Sequence, residues 1–212
     1  MINEKFEITD IAHKTYPFLH RIRALRDVGT EVKQGDLGGF VEHEGNLSFE
    51  PGDDAWVFEN AIIAGDGYAD KGTRLKGQAV VCGNAYASHG STLSGSAKAE
   101  DDAYLRGVTM LGSARASGHS LILASPDDPG RAPILSSRCC VYGKVVDDVR
   151  ILGDTVILSN EEVCSDGPEA IVLNGQMRTV VREYARDVLQ PRQPEGAEEK
   201  NNISQKRKET VR

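Results

Sequence analysis

The sequence predicts an all-β chain: a three-sided parallel β-helix built from hexads, with a β cap at its N-terminus and a short helix at its C-terminus. Three observations predict this. Every sixth residue from position 55 is small: Ala55, Ala61, Gly67, Thr73, Ala79, Ala85, Ser91, Ala97, Ala103 and Thr109. Two residues after each comes an aliphatic one, Val57, Ile63, Ala69, Leu75, Val81, Ala87, Leu93, Ala99, Leu105 and Leu111. Glycine, 22 residues of the 212, recurs in the same register at Gly65, Gly77, Gly83, Gly95 and Gly107. Ordinary composition would fill either frame only about a third of the time. A helical bundle has little use for so many glycines.

Six residues hold one very short strand and one tight corner. Three such units close a triangular coil, and successive coils stack as parallel strands about 4.8 Å apart. At the 18-residue harmonic, Val57, Leu75, Leu93 and Leu111 form a column of larger side chains. Ile63, Val81 and Ala99 form a second, and Ala69, Ala87 and Leu105 a third. Large residues thus face smaller ones across a narrow prism, as close packing requires.

Along the chain, residues 1–44 are expected to cap the first coil, with strand-like residues at 19–25. The glycine-rich 35–39 stretch lacks the lysine of a phosphate loop and is expected to be a turn. The solenoid is expected over 45–175. Leu47 and Phe49 begin it, and the register slips by one residue after Leu111, continuing as Ala114/Ala116 and Ser120/Ile122. The segment 124–133, with three prolines and paired aspartates, cannot be ladder strand and is expected to protrude from a corner. Its Asp127, Asp128 and Arg131 are the expected contact residues. The repeat returns at Cys139/Val141, Val145, Ile151, Ile157 and Val163. Residues 176–190 are expected to be a helix, because Val180, Val181, Tyr184, Ala185, Val188 and Leu189 share one helical face. Residues 191–212 form a polar, charged tail with the composition of disorder.

Composition excludes several functional classes. At 39% hydrophobic and 6% aromatic, the chain is unlike a large-cored enzyme domain. No apolar run approaches the length of a membrane helix, and no basic-then-apolar segment opens the chain, so neither membrane nor secretion is expected. The four cysteines show no CxxC spacing, which argues for neither a disulfide framework nor zinc, and for a reducing cytoplasm. The net charge is −7; the tail after Gln190 carries six basic and four acidic residues, leaving about −9 on the body. An acidic body is not expected to bind nucleic acid directly.

Arg21-Ile22-Arg23-Ala24-Leu25, Gly35-Asp36-Leu37-Gly38-Gly39-Phe40-Val41, Asn46-Leu47-Ser48 and Ala55-Trp56-Val57 resemble the YdcK-like branch of the hexapeptide-repeat proteins of bacteria and phages. The resemblance, over roughly residues 15–165, implies a left-handed parallel β-helix. Hexapeptide acyltransferases place glycine directly after the inward aliphatic residue; here it comes two residues after, a departure from the transferase pattern. Such enzymes use a histidine base near a subunit seam where acyl-CoA binds. His89 and His119 are the histidines inside the solenoid. Both are read as surface corner residues, so no catalytic residue is assigned. His119, close to the 124–133 loop, is the better base for the alternative of an acyltransferase using acetyl-CoA, with His89 behind it.

The column Asp66/Asn84/Asp102 could stack oxygens around a cation, but these residue types also suit tight corners, and the turn reading is preferred; no metal is expected. The outward position between small and aliphatic residues carries more information. It brings Tyr68, Tyr86 and Tyr104 onto one outer face, followed by Leu121, and contiguous exposed apolar strips mark contacts. The expected function is therefore a non-catalytic binding solenoid without a cofactor. It would self-associate through the tyrosine face, as a dimer before a trimer, and offer its corners and loop to an unidentified protein partner. The phage resemblance implies an inhibitor of a host nucleic-acid-acting system, the acidic prism serving as a decoy. The competing arrangement covers the tyrosines with the N-terminal segment or the C-terminal helix of the same chain.

Overall fold

A computed structural model describes residues 2–128 and 130–181. The chain winds into a β-solenoid of about seven turns, with three parallel sheets as its sides and, among the described residues, almost no helix. Most strands are two or three residues long, because each must end where the next corner begins. Arg74–Leu75 pairs in parallel with Thr92–Leu93, which places Leu75 beside Leu93 as the 18-residue harmonic requires. The three sides are a nine-stranded, an eight-stranded and a six-stranded sheet.

Inward side chains fill the prism in compensating sizes. One coil contributes Leu75, Val81 and Ala87; the next contributes Leu93, Ala99 and Leu105, and all six are fully buried. The small frame is buried as well, at Ala55, Ala61, Ala79, Ala85, Ala97 and Ala103. Small residues are needed there because the chain turns toward the axis and leaves no room beside the aliphatic neighbour.

The register departs from expectation at one place. Leu93 pairs with Met110 rather than Leu111, so the slip lies one coil position earlier, within Arg106–Val108. Met110 and Val108 are buried, while Leu111 is 38% exposed and Thr109 takes the outward place beside Thr92. The corner between Leu105 and Met110 is one residue shorter than the corner between Ala87 and Leu93.

The N-terminal cap consists of β1 (Phe6–Ala12), β2 (His20–Ala24) and β3 (Leu37–Val41). They run antiparallel to one another, and β3 then pairs in parallel with Ile62–Ile63, so the cap extends the nine-stranded sheet. Gly38 and Gly39 lie where a Cβ would sit 2.5 Å from Ile22 and 2.4 Å from the Ala61 carbonyl, so this stretch is a close-packed entry into the first coil. Asn46 is fully buried. Its amide donates to the Gly65 and Gly67 carbonyls at 2.8 and 3.0 Å, and its Oδ1 accepts from the Glu42 and His43 N–H groups. Trp56, outward by register, is only 1% exposed because the cap covers it, with Phe6 edge-on at 6.4 Å. Lys5 is also fully buried, its Nζ donating to the Ser48 carbonyl at 2.7 Å.

The C-terminal end corrects the expected helix. Ala170–Asn174 and Met177–Val181 form an antiparallel hairpin that closes the eight-stranded sheet. The valines counted on a helical face at 180 and 181 are therefore strand residues; positions 182–190 and the tail 191–212 lie outside the described residues. Among the described residues, no helix is long and apolar enough to cross a membrane.

Candidate functional site

The six-stranded sheet carries the tyrosine ladder. Tyr68 pairs with Tyr86, Tyr86 with Tyr104, and Tyr104 with Leu121, each in parallel register. Ring centroids are 5.5 and 5.2 Å apart, tilted by 38° and 45°, so the rings overlap as an inclined stack. All four side chains are half-buried. The N-terminal strands join the nine-stranded sheet, not this one. The N-terminal strands of the competing arrangement therefore do not extend this sheet, and in the segment offered as the other lid the residues as far as Val181 are a hairpin strand.

Beside the ladder lies a polar network that the sequence reading missed. The Tyr86 hydroxyl donates to Asp70 Oδ2 at 2.6 Å, and Ser88 Oγ donates to Asp70 Oδ1. Ser88 Oγ also lies 2.7 Å from His89 Nδ1. With the serine proton directed at the carboxylate, the imidazole is the donor in that contact, which leaves His89 Nε2 as an acceptor toward solvent. Burial, and then the hydrogen bond to Asp70, push the Tyr86 phenol up to about 12. Burial and then the nearby Lys71 and Arg106 hold His89 below the usual histidine value. The available signal was spacing: Asp70 and Ser88 are 18 residues apart, directly after the inward Ala69 and Ala87.

The other candidates are distributed over the surface. The His119 ring, with its side chain 89% exposed, pairs through Nδ1 with Asp102 Oδ2 at 3.1 Å. Asn84 donates to Asp102 at 2.7 Å, so that part of the polar column is tied together by side-chain contacts. Among the described residues, no group of three or more histidine, cysteine or acidic side chains could hold a metal ion. Acidic side chains at other corners cap the coil that follows. Asp53 accepts from the N–H groups of Lys71 and Gly72 at 2.7 and 3.0 Å, Glu59 from Gly77, and Asp101 from Gly118.

In the 124–133 loop, Asp127 and Asp128 are exposed. Arg131 turns back onto the body, donating to Asp147 at 2.6 Å and to the carbonyls of Ser165 and Gly167. It anchors the loop, leaving the two aspartates at its outer surface. The four cysteines are unpaired thiols, with Cys139 buried. No family model matches the chain, and no curated protein matches it.

Proposed function

We propose that this chain is a non-catalytic β-solenoid interaction protein. A second copy would pair with it through the tyrosine face, and the adjoining corner and the 124–133 loop would engage a macromolecular partner. The observation that carries this reading is the ladder itself: three stacked rings and Leu121, half-exposed on a sheet that the N-terminal cap does not extend. Isologous pairing of a flat β face makes a dimer the simplest assembly, ahead of a trimer. The resemblance to YdcK-like proteins of bacteria and phages extends the reading to a left-handed coil in the cytoplasm and to a phage-type inhibitor of a host nucleic-acid-acting system. Light scattering of the full chain tests it. Tyr86→Glu and Tyr104→Glu should each lower the solution mass by dissociating the assembly, with a modest fall in Tm. Tyr104 serves as the control, because Tyr86 also holds Asp70. A wild-type protein that stays monomeric at high concentration overturns the reading.

The Asp70–Ser88–His89 relay favours a second reading, acyl transfer from acetyl-CoA, with His89 rather than His119 as base. In that chemistry Nε2 takes the proton of the acceptor as its nucleophilic atom bonds to the thioester carbonyl. The C–S bond then breaks, and the proton passes to the leaving sulfur. Acetyl-CoA at 100 times its Kd should stabilise the fold by about 2.7 kcal/mol if it binds. His89→Gln should abolish thiol release while leaving that stabilisation. No thermal shift removes this reading and leaves the first intact.

A further inference from the structure

The nine-stranded sheet holds a groove unrelated to the tyrosine face. It has a volume of ≈ 550 Å³ and runs between residues 11–16 of the cap and the sheet surface at Phe40 and Ile62, with Arg21, Asn60 and Gln78 completing its lining. Its floor is aromatic. The Phe40 ring is met edge-on by His13 at 4.8 Å and carries the Arg21 guanidinium 4.4 Å from its centroid. Tyr16 stacks on His13 at 5.3 Å, with 17° between the planes. His13 Nδ1 accepts from the N–H groups of Thr15 and Tyr16, so in the neutral ring Nε2 carries the hydrogen and acts as a donor.

The charges lining this groove are cationic. Arg21 is held at three points by neutral oxygens: the Gly38 carbonyl at 2.7 Å, the Glu59 carbonyl at 2.6 Å and Asn60 Oδ1 at 2.9 Å. Among the described residues, neither Arg21 nor Lys14 has a carboxylate partner, and no carboxylate lines the groove. The chain as a whole carries a net charge of −7. A guanidinium immobilised by neutral acceptors against an apolar wall keeps its full field directed at whatever enters. Around it stand further donors: the exposed Lys14 ammonium, the Asn60 amide nitrogen and the exposed Gln78 amide.

We propose that this groove binds a planar organic anion, a flat unsaturated ring bearing a phosphate or a carboxylate. The ring would lie against Tyr16 and Ile62, and the acid group would face Arg21 and Lys14. An uncharged flat molecule would leave the guanidinium uncompensated, and a non-planar anion would forgo the aromatic wall.

Calorimetric titration of the full chain with two anions and their neutral counterparts tests this. The pairs are uridine 5′-monophosphate with uridine, and indole-3-acetate with indole-3-ethanol. At least one anion should bind about tenfold or more tightly than its neutral partner, and should weaken as salt is added. Gln78→Glu and Lys14→Glu each place a carboxylate at the groove without touching the core, and each should weaken that anion about tenfold with Tm unchanged. Binding of the nucleotide alone identifies a phosphate ligand, and binding of the indole acid alone identifies a carboxylate. Neither anion binding, equal binding of anion and neutral partner, or indifference to both variants overturns the proposal.

Discussion

Two of the solenoid's three corners make a contrast. After the eight-stranded sheet, every turn places one residue in the left-handed region two positions past the inward aliphatic: Glu59, Gly77, Gly95, Gly112, Ser137 and Gly153, all at φ between 53° and 72°. These residues stack backbone on backbone; a Cβ on Gly95 would lie 2.8 Å from the Gly112 carbonyl oxygen. After the six-stranded sheet the corners differ from coil to coil. Lys71–Gly72 and His89–Gly90 use two left-handed residues, Arg106–Gly107 loses one position, and the next coil takes the 124–133 loop. There a Cβ on Gly72 or Gly90 would meet nothing within 4 Å. The first corner is set by sterics and tolerates little change in length. The second is more open, its length varies from coil to coil, and Asp70, Ser88 and His89 gather at it.

The sharpest test of the frame common to both corners is Leu93→Ala. It should cost about 2–5 kcal/mol in chemical denaturation, whereas Thr92→Ala, one residue away and outward, should cost little. Equal losses would break the register on which the comparison rests. The corners themselves are separated by Gly95→Ala and Gly90→Ala. The first adds a backbone clash to left-handed strain and should cost about 2–4 kcal/mol; the second adds strain alone, about 1–2 kcal/mol. If the two match, the open corner is not open.

The smallest effect concerns the acidic caps. Burial pushes the Asp53 carboxyl up, but hydrogen bonds from the Ala55, Gly72 and Lys71 N–H groups and from Ser48 outweigh it and hold the group below the usual aspartate range. A carboxylate with a depressed folded value adds stability above its unfolded pKa, and that stability is lost as pH falls through the folded one. Asp53→Asn should therefore cost about 1 kcal/mol near neutrality and flatten the acid limb of the stability–pH curve below about pH 4. An unchanged acid limb would show that the cap is incidental.

The inward columns were legible because a six-residue period is local: Leu75, Leu93 and Ala87 announce themselves by spacing alone. The slip was misplaced because Met110 and Leu111 are both apolar, and an aliphatic pattern accepts either. What decides between them is the shortened corner at Arg106–Val108, visible only once Leu93 and Met110 are paired. The hairpin was missed for a related reason. Thr179–Val181 fits both a helical face and a strand, and the strand wins because Ala170–Val172 offers a partner edge. Nothing in spacing brings Arg21 to Asn60, whereas Asp70 and Ser88 stand one 18-residue period apart and carry His89 with them. The tyrosine column was readable, yet its link to Asp70 was not.

Lys5 gives the cap a built-in reporter. Burial lowers its amine to about 8, and the side chain is fully enclosed against the Ser48 carbonyl. Near neutral pH such an amine is unprotonated more often than that of Lys33, which its contact with Asp27 holds above the usual lysine value, so a larger fraction of Lys5 is in the reactive free-base form. No acylating reagent reaches it while β1 is docked. Its rate of covalent labelling therefore times the lifting of the first strand from the coil, a clock that surface lysines, modified at once, cannot keep.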